Sequence, residues 1–152
     1  MIRLATGLAV RDGQVLLVAS RYPNHPQPLW NLPGGRQQPG ELLEETVARE
    51  FLEETGLHVD AGELAYVTES YDRELQFLNA TFNVTLRHNH GDKGEDDHVV
   101  AVEWVPFDAL AERIVVAVVR EPLLAYLRGE LRRRYAGYHE AGITIEWPAD
   151  SR

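Results

Sequence analysis

The chain has 152 residues, 44% of them apolar and 26% charged, a composition that suits a folded globular protein and is too apolar for a disordered one. Its formal net charge of −9, from 24 acidic against 15 basic residues, disfavours broad binding to a nucleic-acid polymer, although a small polyphosphate could bind through a metal and a few local arginines. With no cysteine there is no disulfide, thiolate nucleophile or Cys-ligated zinc, and no apolar run approaches the ~18 residues of a membrane span. These features fit one cytoplasmic domain over 1–152, without membrane association.

Two β-prone runs, Leu4 to Val10 and Gln14 to Ala19, flank Arg11-Asp12-Gly13. Asp-Gly is a hairpin turn signal, so the chain is expected to open with a β-hairpin. Tyr22 to Pro28 carries three prolines and an asparagine and reads as a surface loop before the short run Leu29 to Leu32. Pro33-Gly34-Gly35 then turns the backbone tightly. A helix is expected over 41–55, a stretch without glycine or proline that is dense in Glu, Leu, Ala and Arg and is closed by Gly56.

Strands are expected at Leu64 to Glu69, Leu75 to Leu86 and Val99 to Val105, followed by a short helix at Pro106 to Leu110. A second long helix is expected over 121–135, with Leu123, Leu124, Leu127 and Leu131 on one stripe and the arginines from Arg128 to Arg134 solvating its surface. In the tail over 137–152, Ile143 to Trp147 is the candidate for a last strand, whose edge could pair with a second copy in a homodimer. Interleaved strands and helices point to the α/β or α+β class with a mixed sheet.

The first helix carries the chemistry. At 100° per residue, Leu43, Val47, Glu50 and Glu54 fall within about 60° of one another, and Glu53 lies on the neighbouring ridge, three residues after Glu50. Carboxylates thus extend the apolar stripe at the helix's C-terminal end, where the macrodipole opposes anions and partial burial costs more still. A hard divalent cation such as Mg²⁺ would offset that cost. Arg49, four residues before Glu53, can hold the Glu53 carboxylate in place.

Gly35, Glu41 and the run Arg49-Glu50-Phe51-Leu52-Glu53-Glu54-Thr55-Gly56-Leu57 match every fixed position of the Nudix box, and the chain resembles a Nudix hydrolase over roughly residues 4–130. Trp30-Asn31-Leu32-Pro33-Gly34-Gly35 before the box and Glu103-Trp104-Val105-Pro106 after it agree with that layout. The resemblance implies an α/β/α sandwich with a central mixed sheet. It also implies hydrolysis of a phosphoanhydride in a nucleoside diphosphate linked to another moiety. Glu50, Glu53, Glu54 and the Gly34 carbonyl would bind Mg²⁺ or Mn²⁺, Arg49 would orient Glu53, and Gly35 and Glu41 would support the site.

Metal-activated water would attack phosphorus in line, with a carboxylate as base. Relatives often place another glutamate six residues ahead of the later tryptophan; here that position is His98, preceded by Glu95, Asp96 and Asp97, so the base is Glu50 or one of these neighbours. His88, His90 and His98 fit no structural zinc spacing. Arg21 is a candidate for the substrate phosphates. Tyr22, Trp30, Tyr71 and Phe77 could stack on a base but suit the core as well. The expected substrate is a small nucleotide, a (d)NTP or a modified one, with ADP-ribose, dinucleoside polyphosphates and a non-hydrolysing nucleotide sensor as the alternatives. The proline that marks ADP-ribose relatives past the box is absent from Ala65 to Asp72.

Overall fold

The computed structural model describes residues 1–89 and 98–147. Its strands are β1 (Ile2–Leu8), β2 (Val10–Arg11), β3 (Gln14–Ser20), β4 (Leu29–Asn31), β5 (Gly34–Arg36), β6 (Leu57–Asp72), β7 (Leu75–Asn89), β8 (Val99–Pro106) and β9 (Tyr135–Tyr138). Helices α1 (Leu43–Thr55), α2 (Leu110–Arg113) and α3 (Ala117–Leu127) accompany them. One sheet has the order β5-β1-β7-β6-β9, with β1 parallel to β7 and β6 parallel to β9 and the other pairings antiparallel. In the other sheet β3 pairs with β2, β4 and β8, all antiparallel.

Alternation along the strands sends side chains to two cores. Ala5, Ala9 and Leu16 pack with Val47 and Phe51 of α1. Leu8, Val15 and Leu17 pack with Leu110, Ile114 and Leu123 from the α2–α3 region. Helices therefore cover both faces of the strand layer, which is the expected α/β/α sandwich around a mixed sheet. Gly7 faces α1, where a Cβ would lie 2.6 Å from the Phe51 ring, so a side chain is excluded there.

Several local expectations are corrected. The opening hairpin is real, with Asp12 at φ 52° and Gly13 at φ 73° making its turn, but its first arm is only β2. Residues from Ile2 to Leu8 instead pair with β5 and β7, because the chain changes sheets at Ala9. Helix α1 begins at Leu43 rather than residue 41: Leu42 is extended at ψ 155°, and Glu45 returns its carboxylate to the Leu42 N–H at 2.8 Å. The later helix occupies Ala117–Leu127, not 121–135. It runs through Pro122, whose missing N–H costs one helical bond, and buries Pro122 and Leu123. It ends before Gly129 at φ 70°, and Tyr135–Tyr138 becomes a strand against β6. Ile143 to Trp147 forms no strand; it folds back on its own chain through hydrogen bonds to Asn24 and Asp72. No helix among the described residues is long and apolar enough to cross a membrane.

Candidate active site

The site forms where β5, an edge strand, meets the second half of α1. Gly35 pairs with Ala5 on the α1 side of the sheet, and Gly34 pairs with Thr6 on the opposite side. A Cβ at Gly35 would stand 2.6 Å from the Glu50 carboxyl carbon, so only glycine lets that carboxylate lie against the backbone. At Gly34 a Cβ would strike the Ala5 carbonyl oxygen. The Gly34 N–H donates to Glu54 Oε1 at 2.8 Å, fixing a carboxylate on a residue only 6% exposed. Phe51 and Val47, both fully buried, anchor the helix that presents these groups.

Arg49 ties the cluster together. Its Nε donates to Glu41 Oε2 at 2.6 Å and its Nη2 to Glu41 Oε1 at 3.2 Å, a two-pronged contact with fixed geometry. Nη1 reaches Glu50 Oε1 at 2.9 Å and Glu53 Oε2 at 3.2 Å, while Nη2 also donates to the Arg36 carbonyl at 3.0 Å. Glu41 further accepts bonds from the Gln38 N–H and the Thr46 hydroxyl. The Arg49 guanidinium, helped by these donors, lowers the Glu41 carboxyl to about 2 against an ordinary 4.5. Glu41, in turn, is the first cause that raises Arg49 above its ordinary value. Glu41 thus acts mainly as the anchor of Arg49, a role its position before the helix suggests less directly than its charge at the dipole.

Glu50, Glu53, Glu54, Arg49, Glu41, Gly34 and Gly35 are brought together as expected. Among the described residues no group of three acidic or histidine side chains is already gathered at metal spacing. The reason is visible: Arg49 holds Glu50 and Glu53, and the Gly34 N–H holds Glu54. The donor chemistry nonetheless fits a hard divalent cation, with three carboxylates and a glycine loop along one helix end. Glu53, whose side chain is 42% exposed, has the freedom to turn.

Glu95, Asp96, Asp97 and His90 lie outside the described residues. His98 is half-buried at the end of that segment, and its carbonyl accepts the Arg21 N–H at 2.9 Å. Arg21 itself is exposed just past β3. Tyr22, Trp30 and Phe77 line a cleft on the side of the sheet opposite α1, together with Thr68, Ser70 and Asn79 of its floor. Tyr71 is exposed outside it. Sequence reasoning missed Arg36, Asp72 and Trp147; the alternation Ile143, Ile145, Trp147 was the available signal, read as a strand.

The chain matches the NUDIX domain family over residues 1–127. It belongs to that family. A "Putative mutator protein MutT4" of Mycobacterium tuberculosis is 32% identical over 126 residues, covering 80% of this chain and 49% of that protein. A "Putative 8-oxo-dGTP diphosphatase" of Bacillus subtilis is 56% identical over 49 residues, covering 32% of this chain and 31% of the relative. This Nudix chain thus spans half or less of the length of these two relatives. A solved Nudix hydrolase from Nitrosomonas europaea shares the fold at a TM-score of 0.76 and 23% identity, over 88% of this chain and 91% of that one. The Nudix family works with divalent metal ions, and small nucleotides are its substrates.

Proposed function

We infer that the chain, read as one domain, hydrolyses a phosphoanhydride in a nucleoside diphosphate linked to another moiety, with a (d)NTP or a modified nucleotide as the substrate. The observation that carries this reading is the clamp of Glu41, Glu50 and Glu53 by Arg49 beside a buried Glu54 on Gly34. A helix end so loaded with anions has one evident use, to hold a cation against a polyphosphate. Mg²⁺ or Mn²⁺ would be held by Glu50, Glu53, Glu54 and the Gly34 carbonyl. The ion would neutralise phosphate charge and make a bound water acidic enough to attack.

The chain's own residues do the positioning. Gly35 gives Glu50 its place against the loop, Arg49 fixes the direction of Glu50 and Glu53, and Glu41 fixes Arg49. Glu50 is one candidate base; Glu95, Asp96, Asp97 and His98 are the others, and Arg21 is a candidate phosphate contact. The names of the relatives favour a mutagenic or oxidised nucleotide such as 8-oxo-dGTP. A sensor that binds without hydrolysis would have no need of all three box glutamates, which are present.

The test is turnover of dNTPs, 8-oxo-dGTP, ADP-ribose and Ap4A with Mg²⁺ or Mn²⁺, against EDTA. Metal-dependent release from one nucleotide is expected, and Glu53→Gln and Glu54→Gln should each lower it by at least about 100-fold, since even loss of a group that only supports a ligand costs about 10–100-fold at a metal site. Full turnover by both variants would sink the assignment.

A further inference from the structure

The family match ends at residue 127, yet one wall of the aromatic cleft comes from the chain beyond it. Ile143, Ile145 and Trp147 line the cleft in alternation, as an extended segment lets them. The intervening backbone is pinned without a sheet partner. The Asn24 amide donates to the Thr144 carbonyl at 2.7 Å, and the Glu146 N–H donates to Asn24 Oδ1 at 2.8 Å. His25 Nε2 is 2.7 Å from the same Thr144 carbonyl. From the floor strand, Asp72 accepts the Thr144 hydroxyl at 3.1 Å. The Ala141 N–H donates to the Tyr71 carbonyl at 2.9 Å.

The cleft that results differs from a core. Cross-strand partners share a face, so Arg36, Leu4, Asn79 and Thr68 form one row across four strands of the floor, with Phe77 and Ser70 in the next. Hydroxyl and amide groups below, with apolar and aromatic walls around them, are the composition of a small-molecule slot. Trp147 lies beside Arg36 of β5, the strand that also carries Gly34 and Gly35. Its ring meets Tyr22 edge-on, with centroids 5.8 Å apart at 85°, and the Arg36 guanidinium lies 5.2 Å from its centroid. Arg36 in turn gives its carbonyl to Arg49.

We propose that the segment 141–147 is the specificity wall of this cleft, and that Trp147 stacks on the planar base of a nucleoside phosphate whose phosphates point to the glutamate cluster. The placement of the phosphates rests on the function inferred above; the stacking role does not. Asn24 is a positioning residue, because it holds the wall by two backbone bonds from outside the cleft. Stacking recognises any planar base, whereas a sugar phosphate without one gains nothing from it.

The experiment is calorimetric binding of dGMP, chosen for its broad purine face, and of deoxyribose 5-phosphate, without metal. Wild type, Trp147→Ala, Trp147→Phe and Asn24→Ala are compared in the full chain, with thermal unfolding confirming that each is folded. Wild type should bind dGMP more tightly than the sugar phosphate. Trp147→Ala should weaken dGMP by about tenfold, within the range lost when a stacking aromatic is removed, and leave deoxyribose 5-phosphate unchanged. Trp147→Phe should restore dGMP binding to within about threefold of wild type, a flat ring being retained. Asn24→Ala should weaken dGMP in the same sense. Equal affinity of wild type for the two ligands, equal losses for both, or no loss of dGMP in Trp147→Ala overturns the proposal. Absence of hydrolysis by wild type, with the dGMP pattern intact, would instead count against the enzymatic reading alone.

Discussion

Replacing Glu41 by glutamine isolates the anchor of the site. The carboxylate is held at about 2 in the fold and returns to about 4.5 when the chain unfolds. At about 1.4 kcal/mol for each pH unit between the two values, the isolated group would contribute about 3 kcal/mol. Its side chain is 17% and that of Arg49 22% exposed, and screening by that solvent reduces the figure to about 1–2 kcal/mol. Because the folded value is the lower one, the contribution is complete above pH 4.5 and fades as the pH falls toward 2. Glu41→Gln should therefore melt about 2–8 °C below wild type at pH 7, at 2–4 °C per kcal/mol for a chain of this size. The gap should narrow steadily between pH 4.5 and pH 3 in a thermal melt followed by circular dichroism. A gap that stays constant over that range, or none at pH 7, would refute the ion pair as the source of the stability.

The glycines separate packing from chemistry. Gly7→Ala drives a Cβ to 2.6 Å from the buried Phe51 ring, and a urea titration should show a loss of about 1–3 kcal/mol from overpacking. Gly35→Ala meets instead the carboxylate end of the Glu50 side chain, which can turn away at the loss of its Arg49 contact, so the urea midpoint should move less than in Gly7→Ala while metal-dependent turnover collapses; the reverse pattern would show that Glu50 has no functional place there. Added Mg²⁺ or Mn²⁺ at 100 times its Kd should stabilise wild type by about 2.7 kcal/mol, visible as a rise in Tm that Glu54→Gln abolishes. An equal rise in Glu54→Gln would remove Glu54 from the ligand set.

The parts of the molecule legible in the sequence were those fixed by local geometry. Helical spacing alone placed Glu50 and Glu54 beside Val47, and the structure carries the same stripe into the loop at Gly34 and Gly35. The hairpin turn at Asp12-Gly13 was equally local, since only its two residues must adopt positive φ. What failed depended on distant partners. Nothing near Leu4 announces that β1 leaves the hairpin to lie parallel to β7, more than seventy residues on. Leu131 looked like part of a helical stripe, but the helix stops at Leu127 and Leu131 packs on the same core from the connection that follows. Gly129 at φ 70° ends the helical course, and Tyr135–Tyr138 pairs with the open edge of β6.

The same distinction explains why the chemistry was more legible than the specificity. The proposed metal site draws its three carboxylates from one helix, at Glu50, Glu53 and Glu54, so its signature is contiguous in the chain. The cleft proposed to hold a base is assembled from Tyr22, Trp30, Phe77 and Trp147 of the tail, with 125 residues separating the first of these rings from the last. No spacing rule links such residues; only the pairing of β1, β6 and β7 and the fold-back onto Asn24 and Asp72 make them neighbours. Arg36 belongs to both systems, its carbonyl on Arg49 and its guanidinium over Trp147. Arg36 also directly follows Gly35, the glycine that seats Glu50, so the cleft and the carboxylate cluster meet on one strand, β5.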